Sequence, residues 1–118
     1  MADTAESVNG ALDELAAQLS PEMVIELIDV FVSNSAEQLM KLDLAQLGAD
    51  LKAIKAEAHS LKSSSANMGA AVLAEACSCL EHTNEFSQSV QTQIEQIKFF
   101  RVQAANHMIA WKNQRKTN

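Results

Sequence analysis

Leu51-Lys52-Ala53-Ile54-Lys55-Ala56-Glu57-Ala58-His59-Ser60-Leu61-Lys62-Ser63-Ser64-Ser65-Ala66-Asn67-Met68-Gly69 reads as one amphipathic helix with a marked start and a marked end. Leu51, Ile54, Ala58, Leu61, Ser65 and Met68 recur at spacings of three and four, the repeat of a helix face turned toward a core. Asp50 stands where the chain enters this helix, and Gly69 suits the left-handed residue that closes it. A chain able to write one such helix with so little punctuation invites the same reading on either side.

Upstream, Leu12, Leu15, Ala16 and Leu19 make a short apolar stripe that stops at Ser20-Pro21, an N-cap followed by proline at the first helical position. The spacing then predicts a long helix from about Pro21 to about Leu44, with Val24, Leu27, Ile28, Phe31, Leu39 and Leu42 inward and a break at Gly48. Downstream, Leu73, Ala76, Cys77 and Leu80 place a helix between about Ala70 and Asn84. Val90, Ile94, Ile97, Phe100, Ala104, Met108 and Trp111 carry a last one from about Ser87. No segment alternates like a strand. Long amphipathic helices joined by short connections must lie antiparallel, so the expected fold is all-α: an antiparallel up-down four-helix bundle over about residues 8–115, with a short additional N-terminal helix laid across it.

Composition agrees and narrows the function. With 118 residues, the chain 1–118 is expected to be a single domain, able to bury a core but too short for a nucleotide domain beside a substrate domain. Only 3 Gly and 1 Pro leave few turn-formers, which favours helices and leaves no phosphate-cradling G-x-x-x-x-G-K-[ST] loop. The chain therefore carries no ATP site of that kind and is not expected to be a kinase. Residues 1–50 hold ten acids against Lys41 alone, and the whole chain is at −6. A surface so charged repels phosphate backbones, so nucleic acid is not an expected partner. The basic C-terminus, Lys112, Arg115 and Lys116, reads as complementing the dipole of the last helical turn. No apolar run approaches a membrane span, and MADTAESVNG has neither the basic start nor the apolar stretch of a signal peptide, so no membrane association and a cytoplasmic location are expected.

One side chain breaks the pattern of the central helix. At roughly 100° per residue, the inward positions centre about 130° away from His59, while Lys52, Lys55, Lys62, Ser63 and Ala66 cluster within about 60° of it. The imidazole is thus expected to face water among lysines and small residues. Lys62 at i+3 can neutralise an anion carried by the ring, and a small residue at i+4 leaves room for a second protein. Geometry alone also allows an exposed histidine with no task.

The stretch Ala58-His59-Ser60-Leu61-Lys62-Ser63-Ser64-Ser65-Ala66-Asn67-Met68-Gly69-Ala70 resembles the signature of the histidine phosphotransfer (HPt) family, A-H-x-L-K-G-S-[SA]-x-x-x-G-A. The resemblance implies a helical module of two-component phosphorelays that shuttles a phosphoryl group between receiver-domain aspartates. It implies phosphorylation of His59 on Nε2 and a phosphate contact from Lys62. It also implies that a residue of the next helix, in register Glu81, faces the histidine; a carboxylate there would accept from Nδ1–H and leave Nε2 free to attack. Lys55, Ala66 and Gly69 are the residues on which a receiver would dock. The chain departs from the signature at Ser63, where the family has glycine; serine is small, so the departure bears on docking detail. The implied partners are receiver domains of hybrid histidine kinases and of response regulators, with no cofactor in this chain and Mg²⁺ on the receiver.

The remaining residues read plainly. Cys77 and Cys79, about 200° apart on a helix, suit one buried and one less buried small residue. No second pair or convergent histidine completes a metal site, so none is expected. His82 and His107 read as solvated, and Met23, Met40, Met68 and Met108 as bundle filler. A non-catalytic helical scaffold or adaptor is the alternative for the whole chain. We expect a monomer, free-standing because Met1 precedes a complete set of helices.

Overall fold

The computed structural model describes residues 1–116. Among them are five helices and no strand: α1 (Ala5–Gln18), α2 (Pro21–Leu47), α3 (Leu51–Asn67), α4 (Ala71–Glu81) and α5 (Gln88–Lys116). Helix α3 packs against α2 and α4, and α5 closes the ring against the same two. The four run alternately up and down, and α1 lies on α2 and α5. The expected all-α bundle with an extra N-terminal helix is the observed architecture.

The helix starts follow the capping chemistry. Ser20 accepts from the Met23 amide at 3.1 Å with Pro21 at the first turn, and Asp50 accepts from the Ala53 amide at 3.1 Å. At the end of α3 the Gly69 amide donates to Ala66 and the Ala70 amide to Ser65, a complete Schellman closure with Gly69 at φ +79°. The end of α2 departs from expectation. The helix runs to Leu47, and the left-handed residue is Ala49 at φ 49°, while Gly48 keeps an ordinary φ of −87°. The Asp50 amide bonds to Ala45 and the Ala49 amide to Gln46, so the same closure forms one residue later than the glycine. Helix α4 is shorter than its apolar pattern, ending at Glu81 rather than near Asn84.

The core takes Val24, Ile28, Phe31 and Leu42 from α2, Ile54, Ala58, Leu61 and Met68 from α3 and its cap, Leu73, Cys77 and Leu80 from α4, and Val90, Ile94, Ile97, Ala104, Met108 and Trp111 from α5. Four expected core residues are surface residues instead. Leu19, Leu27, Met23 and Met40 are 45%, 39%, 49% and 66% exposed, because their helices are contacted over a narrower arc than the apolar stripe covers. In α1 the fully buried pair is Val8 and Leu12.

Contacts between distant residues hold the helices in place. The Trp111 indole N–H donates to Asp13 at 2.9 Å, Arg115 donates to the same oxygen at 2.9 Å, and the guanidinium lies 3.8 Å above the Trp111 ring. Lys112 pairs with Asp29 and Lys98 with Asp43. Lys112 and Arg115, at the basic end of α5, thus pair across helices with Asp29 and Asp13; the side chain of Lys116 lies outside the described residues. Arg101 donates to Val32 O at 2.7 Å and to buried Ser35 at 2.9 Å, and burial lowers its pKa.

Asp3 joins distant parts of the fold in the same way. It is 4% exposed, and its two oxygens accept from the amides of Val72 and Leu73 at 2.9 and 3.1 Å, capping α4, whose own cap residue Ala70 has no side chain able to do so. His107, expected in solvent, is half-buried and donates from Nε2 to the Asp3 carbonyl at 3.1 Å. Asp3→Ala is expected to lower stability by about 1–2 kcal/mol, since both amides lose their acceptor in a part-buried place. Thermal or urea denaturation measures it, and an unchanged midpoint would mean that water replaces the carboxylate without loss.

Candidate functional site

Helix α3 turns its apolar positions inward so completely that His59 has nowhere to go but out: Ala58 and Leu61 beside it are buried, and the His59 side chain is 59% exposed. Helix α4 runs back along α3 from the Gly69 turn, which brings its last residue, Glu81, level with His59. Glu81 Oε2 lies 2.6 Å from His59 Nδ1, and Glu81 Oε1 accepts from Lys62 Nζ at 2.5 Å. A carboxylate can only accept, so Nδ1 carries the proton and donates. Among the described residues Nε2 has no hydrogen-bond partner. The site is therefore a tautomer-fixed imidazole on the bundle's side, with its unprotonated nitrogen open to approach.

The electrostatics follow from the contacts. The hydrogen bond from Lys62, opposed by some desolvation and helped by the hydrogen bond and charge of His59, holds the Glu81 carboxyl below the usual glutamate range. The folded-state pKa is depressed, so the stabilisation is present above the ordinary glutamate value. It is lost as pH falls through the lower, folded one. Glu81 is thus held ionised, able to accept from both partners, at and above the ordinary glutamate range.

The other residues singled out from the sequence fall in three groups. Ser63 and Ala66 are exposed on the same side of α3 as His59. Lys55 is half-buried and Lys52 exposed; Lys62 is turned sideways onto Glu81, so the ring of free lysines expected around His59 is partly spent within the protein. The serine that bonds back to a carbonyl is Ser64, 3.2 Å from Leu61 O, while Ser63 keeps its side chain in solvent. Gly69 sits at the α3–α4 turn, ten residues along and so about 15 Å from His59 by helical rise. A Cβ placed on it would lie 2.2 Å from the Ala11 Cβ of α1, so Gly69 has a packing reason to be glycine.

Sequence reasoning overlooked a groove of about 220 Å³ between α2 and α3, lined by Leu27, Val30, Phe31, Asn34, Ser64, Asn67 and Met68. Its signal was an apolar stripe on α2 too broad for the core behind it. Elsewhere Cys77 is buried, which pushes its thiol up to about 12, and Cys79 is exposed. Among the described residues no three His, Cys, Asp or Glu side chains converge as a metal site, and no helix is long and apolar enough to cross a membrane.

Residues 26–110 of the chain match the family model of the Hpt domain. The chain belongs to the Hpt family. It is similar to the crystal structure of histidine-containing phosphotransfer protein B (HptB) from Pseudomonas aeruginosa PAO1, at a TM-score of 0.66 and 31% sequence identity over 92% of each chain. No curated protein sequence matches it significantly. The chain is accordingly a histidine phosphotransfer protein of phosphorelays, and Hpt proteins act as phosphocarriers rather than kinases.

Proposed function

We propose that His59 Nε2 is the phosphoacceptor, taking a phosphoryl group from the aspartate of one receiver domain and passing it to the aspartate of another. The 2.6 Å contact between Glu81 Oε2 and His59 Nδ1 carries this reading, because it places the ring's lone pair on the exposed nitrogen. The receivers are those of hybrid histidine kinases and of response regulators. In-line transfer draws its charge stabilisation from the Mg²⁺ of the receiver site, together with Lys62 on this side. What this chain contributes is a nucleophile fixed in tautomer and height on a rigid helix.

Docking uses the exposed small residues beside the ring, Ser63 and Ala66, flanked by Lys55 on one side. On the other side lies the α2–α3 groove with Leu27 and Val30 at its rim. Half-exposed leucine and valine next to a strip of small side chains give an apolar, close-approach surface for another protein. Gly69, which the resemblance adds to this surface, contributes by seating α1 and holding the end of α3.

The test is incubation with phosphorylated receiver domains. Label should move onto this chain in an acid-labile, base-stable form, the behaviour of phosphohistidine; label that never leaves any receiver would support a scaffold instead. Ser63 refines it. Ser63→Gly should transfer as fast or faster, despite a cost of about 0.5 kcal/mol in helix stability, whereas Ser63→Leu should obstruct a receiver while a small phosphodonor still reaches the ring. Equal receiver rates for glycine, serine and leucine would remove this edge of α3 from the docking surface.

A further inference from the structure

Both oxygens of Glu81 are occupied, one by His59 Nδ1 and one by Lys62 Nζ, at 2.6 and 2.5 Å. The side chains of Glu81 and Lys62 are only 22% and 29% exposed, against 59% for His59, so the pair lies in the α3–α4 groove and the ring stands out of it. The lysine that would meet an incoming phosphoryl group is already paired before that group arrives.

Transfer changes the charges around it. The P–O bond of the receiver's acyl phosphate breaks and its electron pair stays on the aspartate oxygen. The lone pair of His59 Nε2 forms the new N–P bond, and the proton on Nδ1 remains there, held by Glu81. The product is an imidazolium bearing a dianionic phosphoryl group. Two anions, the carboxylate near Nδ1 and the phosphoryl on Nε2, then compete for one ammonium group one helical turn away.

Resting on the reading of His59 as acceptor, we propose that phosphorylation draws Lys62 from Glu81 to the phosphoryl group. Glu81, by competing for that lysine, then sets how strongly His59 retains the group. A neutral acceptor at this place would leave Lys62 wholly to the phosphoryl oxygens and make His59 a deeper resting place. The carboxylate keeps the bound state shallow, so that the group moves on. Glu81 is thus a positioning residue with two separable effects. It stabilises the imidazolium proton, which favours the phosphorylated state, and it holds back Lys62, which opposes it. Only the second effect needs the lysine.

A double-mutant cycle on the full chain separates them. The parent, Glu81→Gln, Lys62→Met and the double variant are phosphorylated with phosphoramidate, ammonia being the leaving group. The equilibrium ratio of phosphorylated to free His59 is then read by ³¹P NMR at fixed ammonia. Glutamine keeps a carbonyl acceptor for Nδ1–H, so the tautomer is preserved. The expected result is that Glu81→Gln shifts the ratio toward phosphohistidine about tenfold more with Lys62 in place than in the Lys62→Met background, a coupling within the usual range for interacting sites. Shifts equal to within about twofold, or a larger one without the lysine, overturn the exchange of partners while leaving His59 as acceptor. Phosphorylation of His59→Gln in the same assay would remove the acceptor reading itself, so the two failures are distinct.

Discussion

His59→Gln is expected to fold as the parent does and to accept no phosphoryl group from any receiver. Glutamine is close in length, and its amide N–H groups can still donate to Glu81 Oε2, so the contact to α4 survives. The replaced side chain is 59% exposed, which limits the change in stability to about 0.5 kcal/mol. Glutamine's amide nitrogen has no available lone pair, so nothing on the side chain can attack phosphorus, and the loss should be complete rather than graded. Circular dichroism and thermal melting check the fold, and gel transfer of label from a phosphorylated receiver checks the function. Label persisting on this variant would place the acceptor elsewhere, with exposed His82 the next residue to test.

Gly69→Ala should be the most damaging of the three glycine-to-alanine changes. At φ +79° an L-residue is held in the left-handed region at about 1–2 kcal/mol, and the new Cβ would meet the Ala11 Cβ at 2.2 Å. Forcing α1 away from the α3–α4 turn adds overpacking strain, for a total loss of about 2–4 kcal/mol. Ala11→Gly in the same chain should recover the steric part and leave the dihedral part. The fraction that stays folded should transfer phosphate at the parental rate, because the turn is about 15 Å from the ring. Folded protein that transfers slowly would instead show Gly69 to touch the receiver directly.

The difference between Gly69 and Ser63 illustrates what could be read in advance. Both lie in the signature stretch, and the resemblance attaches docking to each. A helical wheel puts Ser63 beside His59, and it is there; the same wheel has no term for α1, so the contact between Gly69 and Ala11 could not be anticipated. Leu27 and Met23 fail for a related reason. Periodicity reports which side of a helix is apolar, but the arc that becomes buried depends on how many neighbours press on it, and α2 has too few near its start.

Local chemistry is what a sequence states in full: Ser20, Asp50 and Gly69 cap or close helices through bonds spanning three to five residues, and the three-and-four spacing puts His59 opposite Ile54, Ala58 and Leu61 whatever surrounds the bundle. These interactions need only the chain's own helical geometry, so the helices, the bundle class and the outward histidine were legible. The contacts that give the histidine its state were decided by tertiary structure. Lys62 and Glu81 are 19 residues apart, Asp3 and Leu73 70 apart, and Asp13 and Trp111 98 apart. The resemblance could suggest that Glu81 faces His59. That the same carboxylate also holds Lys62 depends on the rotation and height of α4 against α3, which are set by close packing around Leu61, Cys77 and Leu80 and by no spacing along the chain.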